Sequence, residues 1–185
     1  MKKTILTFGL ISGVIISVLM IATVPFADRL GFGHSYLVGY TTMILAFLLV
    51  YFGIRSYRDN IGDGHISFGK AFVIGISITL ISTLFYVVTW EIIYFKFMPD
   101  FMDKYGAYAI QKLQASGASA AAIQAKVEEI KRYKVLEDNP LTNAAMTFLE
   151  PFPVGLIITL VSAAILRRKP NATTQPTQSP AAATN

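Results

Sequence analysis

Residues 67–94 read SFGKAFVIGISITLISTLFYVVTWEIIY, an apolar run with Lys70 near its start and Glu91 near its end. A hydrocarbon core about 30 Å thick requires roughly 20 apolar residues of helix. Trp90, Tyr94 and Lys96 stand where the run ends, and aromatic rings beside a lysine are typical of the membrane–water interface. The run therefore predicts a transmembrane helix over residues 68–95.

Three further apolar runs of sufficient length cover residues 5–26, 36–54 and 141–166. The chain is 54% hydrophobic and only 15% charged, whereas a soluble domain carries roughly 25% charged residues. The predicted fold class is all-α, a polytopic membrane protein with four transmembrane helices. An alternative for the first run is a cleaved signal peptide. Its apolar part is longer than the usual length of about 7–15 residues, however, and Pro25 stands where a small residue is required.

The segments between these runs differ in length and character. Residues 28–34 form a short polar link rich in turn-forming residues, whereas residues 99–138 are polar and helix-prone. Pro99 suits a first helical position, Gly117 a helix end and Ser119 a helix N-cap. We therefore expect an extracytoplasmic helical hairpin over residues 99–138, between helices 3 and 4. Residues 170–185 lack apolar periodicity, which predicts a disordered cytoplasmic tail after a membrane domain over residues 1–169.

The last apolar run is expected to consist of two pieces. Asn139 and Pro140 fit a helix cap followed by a first turn, and Glu150-Pro151-Phe152-Pro153 interrupts the run. Proline lacks the backbone N–H and clashes with the preceding turn. Pro151 and Pro153 therefore predict a kink or a helix restart.

The distribution of basic residues predicts that both termini are cytoplasmic. One side of the membrane has eight basic residues in short segments, opposed only by Asp59 and Asp63, whereas the hairpin offsets its basic residues with six acidic ones. The positive-inside rule favours the first side as the cytoplasm. Because basic residues stand at helix ends, nucleic acid is not expected as a partner despite the net charge of +5. The eight residues are Lys2, Lys3, Arg55, Arg58, Lys70, Arg167, Arg168 and Lys169.

Little in the sequence points to a metal, a cofactor or a catalytic group. There are no cysteines, and His34 and His65 stand alone without ligand spacing. Residues 64–70 fit half of a phosphate-binding loop, but Ala71 stands where that loop requires Ser or Thr. Ser67 is therefore interpreted as the cap of the third helix. We predict no cofactor, no metal site and no enzymatic activity.

Glu91 and Glu150 are the candidate intramembrane carboxylates. At 1.5 Å per residue, Glu91 lies about 31 Å along the predicted helix from Lys70, which stands at the start of that helix. Glu150 lies about 25 Å before Arg167, so both are expected near the outer edge of the bilayer. Ionisable groups at such depth are functional candidates, and two close carboxylates would form a proton or cation site. The alternative is structural, with Glu91 reaching interfacial water and Glu150 stabilising the N-terminus of the next helix.

Small residues recur every four positions in three of the predicted helices. Such stripes let helix backbones approach closely, which drives association where no hydrophobic force acts between spans. Packing within the chain is the expected use, and a homodimer through the first helix is the alternative. The helix-packing residues are Gly9 and Gly13, Gly75 and Thr79, and Gly155 and Thr159.

Three segments of the chain resemble an uncharacterised bacterial membrane-protein family, domain of unknown function 4199. They are Ser67-Phe68-Gly69-Lys70-Ala71-Phe72, the hairpin residues Ala115-Ser116-Gly117-Ala118, and Thr147-Phe148-Leu149-Glu150-Pro151-Phe152-Pro153-Val154-Gly155-Leu156. The run from Glu150 to Leu156 is the most specific part, and the likeness covers about residues 1–169. The resemblance implies a four-span protein of the bacterial inner membrane, and it brings no known activity.

Two functional hypotheses follow from the sequence. The first is a structural or accessory membrane protein that acts through helix packing and its outer hairpin. Its expected partners are the lipid bilayer and a homo-oligomer or another membrane protein. The alternative is a small proton- or cation-linked transporter that uses Glu91 and Glu150.

Overall fold

The computed structural model of the chain describes residues 1–168, of which residues 26–31 and 33–36 are described by their backbone alone. The predicted tail over residues 170–185 lies outside the described residues. The helices are α1 (Lys2–Thr23), α2 (Ala27–Asn60), α3 (Phe68–Ile92), α4 (Phe101–Ala115), α5 (Ala120–Glu137), α6 (Pro140–Phe148) and α7 (Pro151–Leu166), with a 3₁₀ turn at Val24–Phe26 and a π turn at Ile93–Phe97.

Within the described part of the chain, four helical segments are long and apolar enough to cross a membrane, and the predicted all-α fold class is confirmed. They are Lys2–Thr23, Leu37–Asn60, Phe68–Phe97 and Pro140–Leu166. A short antiparallel bridge joins the α2–α3 loop to the end of α7, because Ile66 and Arg168 exchange backbone hydrogen bonds of 3.1 and 2.9 Å. We call this the terminal end of the bundle. The opposite end, which carries α4 and α5, is the hairpin end.

Helices α2 and α3 contact each other, and α1 and α7 each contact both of them. Glycines bring α1 against α3: a Cβ added at Gly9 would lie 2.9 Å from Ile81 Cδ1, and one added at Gly13 would lie 2.6 Å from Phe85 Cγ. No larger side chain fits at these positions unless Ile81 or Phe85 shifts. The α1 stripe therefore packs against α3 within the chain.

The α3–α7 contact has the same basis. A Cβ at Gly75 would lie 2.8 Å from Thr159 Cγ2, and one at Gly155 would collide with Thr79 and the ring of Phe47. Threonine hydroxyls also join the two helices here, because Thr79 Oγ1 and Thr159 Oγ1 are 3.0 Å apart and hydrogen-bonded. The fully buried apolar residues beside these contacts are Ala46, Phe47, Val50, Ile54, Ala71, Ile74, Ile78 and Ala163.

The turn expected over residues 28–34 is wrong. The backbone is helical from Ala27 to Asn60, and only the 3₁₀ turn Val24–Phe26 separates α1 from α2. A helical glycine costs about 1 kcal/mol relative to alanine, and tertiary packing offsets that cost. The ring of Phe32 lies among three rings of α4, at centroid distances of 5.7 Å from Phe101, 5.6 Å from Tyr105 and 5.3 Å from Tyr108.

Helices α4 and α5 pack against each other at the hairpin end. Gly106 allows the approach, because a Cβ there would lie 3.0 Å from Ile130 Cγ2. Lys134 Nζ of α5 lies 2.5 Å from Asp103 Oδ1 of α4, which joins the two helices by an ion pair. Helix α5 also contacts α6, so the two hairpin helices are attached to the bundle on the side of its last span.

Candidate binding cavity

The α5–α6 corner is fixed by polar side chains. Asn139 caps α6, because its Oδ1 accepts hydrogen bonds from Leu141 N at 3.0 Å and Thr142 N at 3.4 Å. Asn143 is fully buried, and its Nδ2 donates to the carbonyl oxygen of Glu137 at 3.0 Å. The Glu137 backbone is thereby held against α6 at the hairpin end.

A second corner places Glu150. Helix α6 ends at Phe148 and α7 begins at Pro151, and the ring of Pro153 stands in the first turn of α7, where no N–H is needed. Glu150 therefore stands between the two helices. The hydroxyl of Tyr86 on α3 donates a hydrogen bond of 2.7 Å to Glu150 Oε2, which fixes the carboxylate beside the central helix.

A cavity of about 530 Å³ lies between the hairpin and the hairpin end of α1, α2, α3 and α6. Five of the six methionines of the chain line it: Met20, Met43, Met98, Met102 and Met146. Aromatic side chains also line it, and those among the described residues are Phe32, Tyr40, Tyr86, Trp90, Phe101, Tyr105 and Tyr133. Its walls are therefore mostly apolar, flexible where they are methionine and rigid where they are aromatic.

Charged groups enter the cavity from the hairpin and from the α6–α7 corner. Lys126 and Glu129 of α5 both line it and pair with each other, with Nζ 2.8 Å from Oε1. Lys104 of α4 also lines it and pairs with Asp100 at 3.1 Å.

Glu137 and Glu150 are the remaining carboxylates of the cavity wall among the described side chains. Burial raises the pKa of the Glu137 carboxyl above its ordinary value, and the negative charges of Glu150, Glu91 and Asp138 raise it further. The local field at this wall is therefore negative.

Glu91 lies in the last turn of α3, outside the cavity wall. Its Oε1 is buried and has no hydrogen-bond partner among the described residues. The structure brings both predicted carboxylates to the hairpin end, where each is close enough to act on the charge of Glu137. Glu150 has Tyr86 as a direct partner.

The family comparison is consistent with this architecture. The sequence profile of the family described as "Protein of unknown function (DUF4199)" matches residues 7–168. The chain belongs to this family. No curated protein and no solved structure matches it. The match to DUF4199 thus covers nearly the whole described part of the chain, but the function of the family is unknown, so it assigns no activity to the cavity.

Several residues of this DUF4199 cavity were not predicted from the sequence. Glu137 reads as one of six acidic residues on a solvated hairpin, and nothing local shows that it turns towards α6. The methionines are scattered over 126 positions, between Met20 and Met146, so their convergence depends on the tertiary fold. One feature of the sequence does point to this corner: Asn143 and Thr147 are polar residues one turn apart inside an apolar run. In the structure their side chains are joined by a hydrogen bond of 3.1 Å.

A metal has no evident place in this cavity. Among the side chains that the structure describes, no three His, Cys, Asp or Glu residues are grouped so that they could hold a metal ion. The carboxylates Glu137 and Glu150 are accompanied instead by phenol and indole rings. This donor set suits an organic ligand better than a bare cation.

Proposed function

We propose that this protein is an accessory protein of the bacterial inner membrane that holds an apolar or amphipathic small molecule beneath its outer hairpin. The cavity carries this proposal. Its volume of about 530 Å³ falls within the range of roughly 300–1,000 Å³ that is usual for small-molecule sites. Methionine is over-represented at surfaces that accept ligands of varied shape, and five methionines meet here.

The proposed orientation places the terminal end in the cytoplasm and the hairpin outside. Lys2, Lys3, Arg55, Arg58 and Lys70 belong to the terminal end, where Arg167 and Arg168 follow the last span. The hairpin balances six basic residues with six acidic ones over residues 99–138. The positive-inside rule supports this orientation, and it puts the cavity at the outer membrane–water boundary.

Binding can be measured with the purified full chain in lipid nanodiscs. Trp90 is the only tryptophan of the chain and lines the cavity, so its fluorescence reports occupancy. The neutral dye N-phenyl-1-naphthylamine should quench Trp90 by energy transfer in a saturable manner. Quenching that grows linearly with dye, as partition into the lipid would give, contradicts the proposal.

A cavity-filling variant separates the cavity from the surrounding lipid. Gly39 borders the cavity, and a Cβ there meets no atom within 4 Å, so Gly39→Leu should reduce dye binding without disturbing the bundle. Gly69→Leu is the matched control, because Gly69 is equally open but lies at the start of α3, at the terminal end. Equal dye binding by both variants would count against a site in the cavity.

The accessory role is tested by isolating the protein together with its binding partners. Extraction in a mild detergent should yield a defined homo-oligomer or one stable membrane-protein partner. The exposed apolar residues Val135, Leu141 and Leu149 near the hairpin end, which are 73%, 80% and 66% exposed, offer a surface for such a contact or for the bilayer. A lone monomer would contradict this part of the proposal.

Proton- or cation-linked transport is the second candidate function. The observation that favours it is the buried Oε1 of Glu91, which lacks a hydrogen-bond partner among the described residues and lies near Glu137. The double variant Glu91→Gln with Glu150→Gln should then abolish proton- or cation-coupled uptake in proteoliposomes while the protein still accumulates. Unchanged uptake removes this candidate.

A further inference from the structure

We propose that the cavity selects a lipophilic cation, a molecule whose single positive charge is attached to an apolar body. This inference rests on the proposed function, that the cavity holds a small molecule, and adds the charge of that molecule. Three properties of the wall lead to it: its charges, its aromatic groups and its apolar side chains.

Among the described side chains, the charges of the wall are unbalanced in one direction. Each lysine that lines the cavity already has a carboxylate partner, Lys126 in Glu129 and Lys104 in Asp100. Glu137 and Glu150 have no lysine or arginine within ion-pair distance among the described side chains. Glu137 is partly buried whereas Glu150 is exposed, and withdrawal of the Glu137 carboxylate from water is costly unless a positive charge accompanies it. A bound cation supplies that charge, whereas an anion would meet two carboxylates.

Aromatic groups favour the same charge. Tyr86 and Trp90 lie one helical turn apart on α3, and both line the cavity that Tyr40, Tyr105 and Tyr133 also reach. The face of an aromatic ring carries partial negative charge and attracts cations, above all when water is excluded. The Tyr86 hydroxyl donates to Glu150 Oε2, so it holds one carboxylate in place next to these rings.

The apolar side chains define the rest of the ligand. Met20 and Ile16 enter from α1, Met43 from α2, and Met98 and Met102 from the hairpin side. Thioether side chains adapt to bulky apolar groups of different outline. A small inorganic cation would leave these side chains without contacts, so the wall fits a cation that carries hydrocarbon.

The test compares two ions of the same shape and opposite charge. Tetraphenylphosphonium and tetraphenylborate are titrated against the full chain in nanodiscs of zwitterionic lipid, with Trp90 fluorescence as the readout. Tetraphenylphosphonium is expected to give a saturable change, and tetraphenylborate only the weak linear change of membrane partition. Equal saturable responses to both ions would overturn charge selection.

Variants assign the selection to the two carboxylates. Glu150→Gln and Glu137→Gln should each weaken tetraphenylphosphonium binding about tenfold or more, because each removes a charge from the wall. Glu128→Gln is the control, since Glu128 is exposed on α5, pairs with Lys131 at 3.0 Å and does not line the cavity. Unchanged affinity in both cavity variants would contradict the inference.

The neutral dye separates failure of this inference from failure of the proposed function. Glu150→Gln and Glu137→Gln should retain saturable binding of N-phenyl-1-naphthylamine, which shows that the cavity is still formed. If the wild type binds the dye but not tetraphenylphosphonium, the cavity is a neutral apolar site and the inference is wrong. If it binds neither, the proposed function fails as well.

Discussion

The two ends of the bundle use the same four helices in opposite ways. Towards the terminal end, glycines and threonines bring the helices so close that Phe47, Val50 and Ile54 are 0% exposed. Towards the hairpin end, methionines and aromatic residues surround about 530 Å³ of open space. The comparison indicates that the half towards the terminal end fixes the arrangement of the helices, whereas the half towards the hairpin end leaves space for a ligand.

The physical reason for the difference is the size of the side chains at the helix contacts. In a membrane, helices associate by van der Waals packing and interhelical hydrogen bonds, which need close backbones. Gly75 and Gly155 provide this contact between α3 and α7. Nearer the hairpin end, Tyr86 and Trp90 occupy the corresponding face of α3, and rings of that size keep the neighbouring helices apart.

The largest expected effect comes from adding bulk to the packed half. Gly155→Leu would drive a side chain into Thr79 and Phe47, and overpacking of this kind costs about 1–3 kcal/mol, occasionally more. We expect a strongly lowered midpoint of thermal unfolding, measured by circular dichroism in nanodiscs. Gly39→Leu makes the same change at the open half and should leave the midpoint nearly unchanged. Similar losses in both variants would show that the two halves are packed alike.

The next effect concerns two hydroxyls one turn apart on α3. Thr79 Oγ1 bonds to Thr159 Oγ1 at 3.0 Å, whereas Thr83 Oγ1 is buried without a partner among the described residues. Thr79→Val should cost about 0.6 kcal/mol, with an upper limit of roughly 1.7, as is usual for interhelical hydrogen bonds in membranes. Thr83→Val should be neutral or stabilising, because it removes a hydroxyl that has no bond to lose. Equal unfolding midpoints for the two variants would contradict this assignment.

The packed half follows closely from the sequence, and the open half does not. Lipid imposes a minimum length on each span, so residue counts alone predict four helices. Residues 28–34 show where this reasoning fails. Their glycines and polar groups suggest a turn, but the contact of Phe32 with α4 keeps the segment helical.

The cavity wall depends on contacts between distant parts of the chain. Glu150 is recognisable as an ionisable group in an apolar run, and its two neighbouring prolines place it at a corner. Glu137 is not recognisable, because only the packing of α5 on α6 turns it from a surface charge into a partly buried group of the cavity wall. The sequence therefore predicts single groups with unusual surroundings, but not the partners that give those groups a function.

A smaller effect is expected from the pH dependence of stability. Burial and the charges of Glu150, Glu91 and Asp138 raise the pKa of Glu137. The folded state then binds more protons than the unfolded state between the two pKa values, so stability falls as the pH rises through the raised pKa. Glu137→Gln removes this loss and should raise the unfolding midpoint at pH 7–8, but not at about pH 3, where the carboxyl is protonated in both states.

The exposed acid Glu128 is the control for this measurement, since it stands on the outer face of α5 beside Lys131. Glu128→Gln should leave the pH dependence of unfolding as it is in the wild type. A Glu137→Gln variant with the wild-type pH dependence would show that the cavity wall is open to bulk water. The open half would then be a surface groove rather than a covered cavity.

The smallest effect is expected at the ion pair that joins the hairpin helices. Lys134 Nζ lies 2.5 Å from Asp103 Oδ1 on α4, whereas Lys131 pairs with Glu128 within α5 itself. Exposed ion pairs contribute little to stability and are screened by salt, so Lys134→Gln should barely change the unfolding midpoint. It should instead speed amide hydrogen exchange modestly in α4 and α5, because it removes one of the contacts that join the two helices, while Lys131→Gln should not. Faster exchange confined to the hairpin would show that the cover of the cavity opens independently of the packed half, which is how a ligand would enter from the membrane surface.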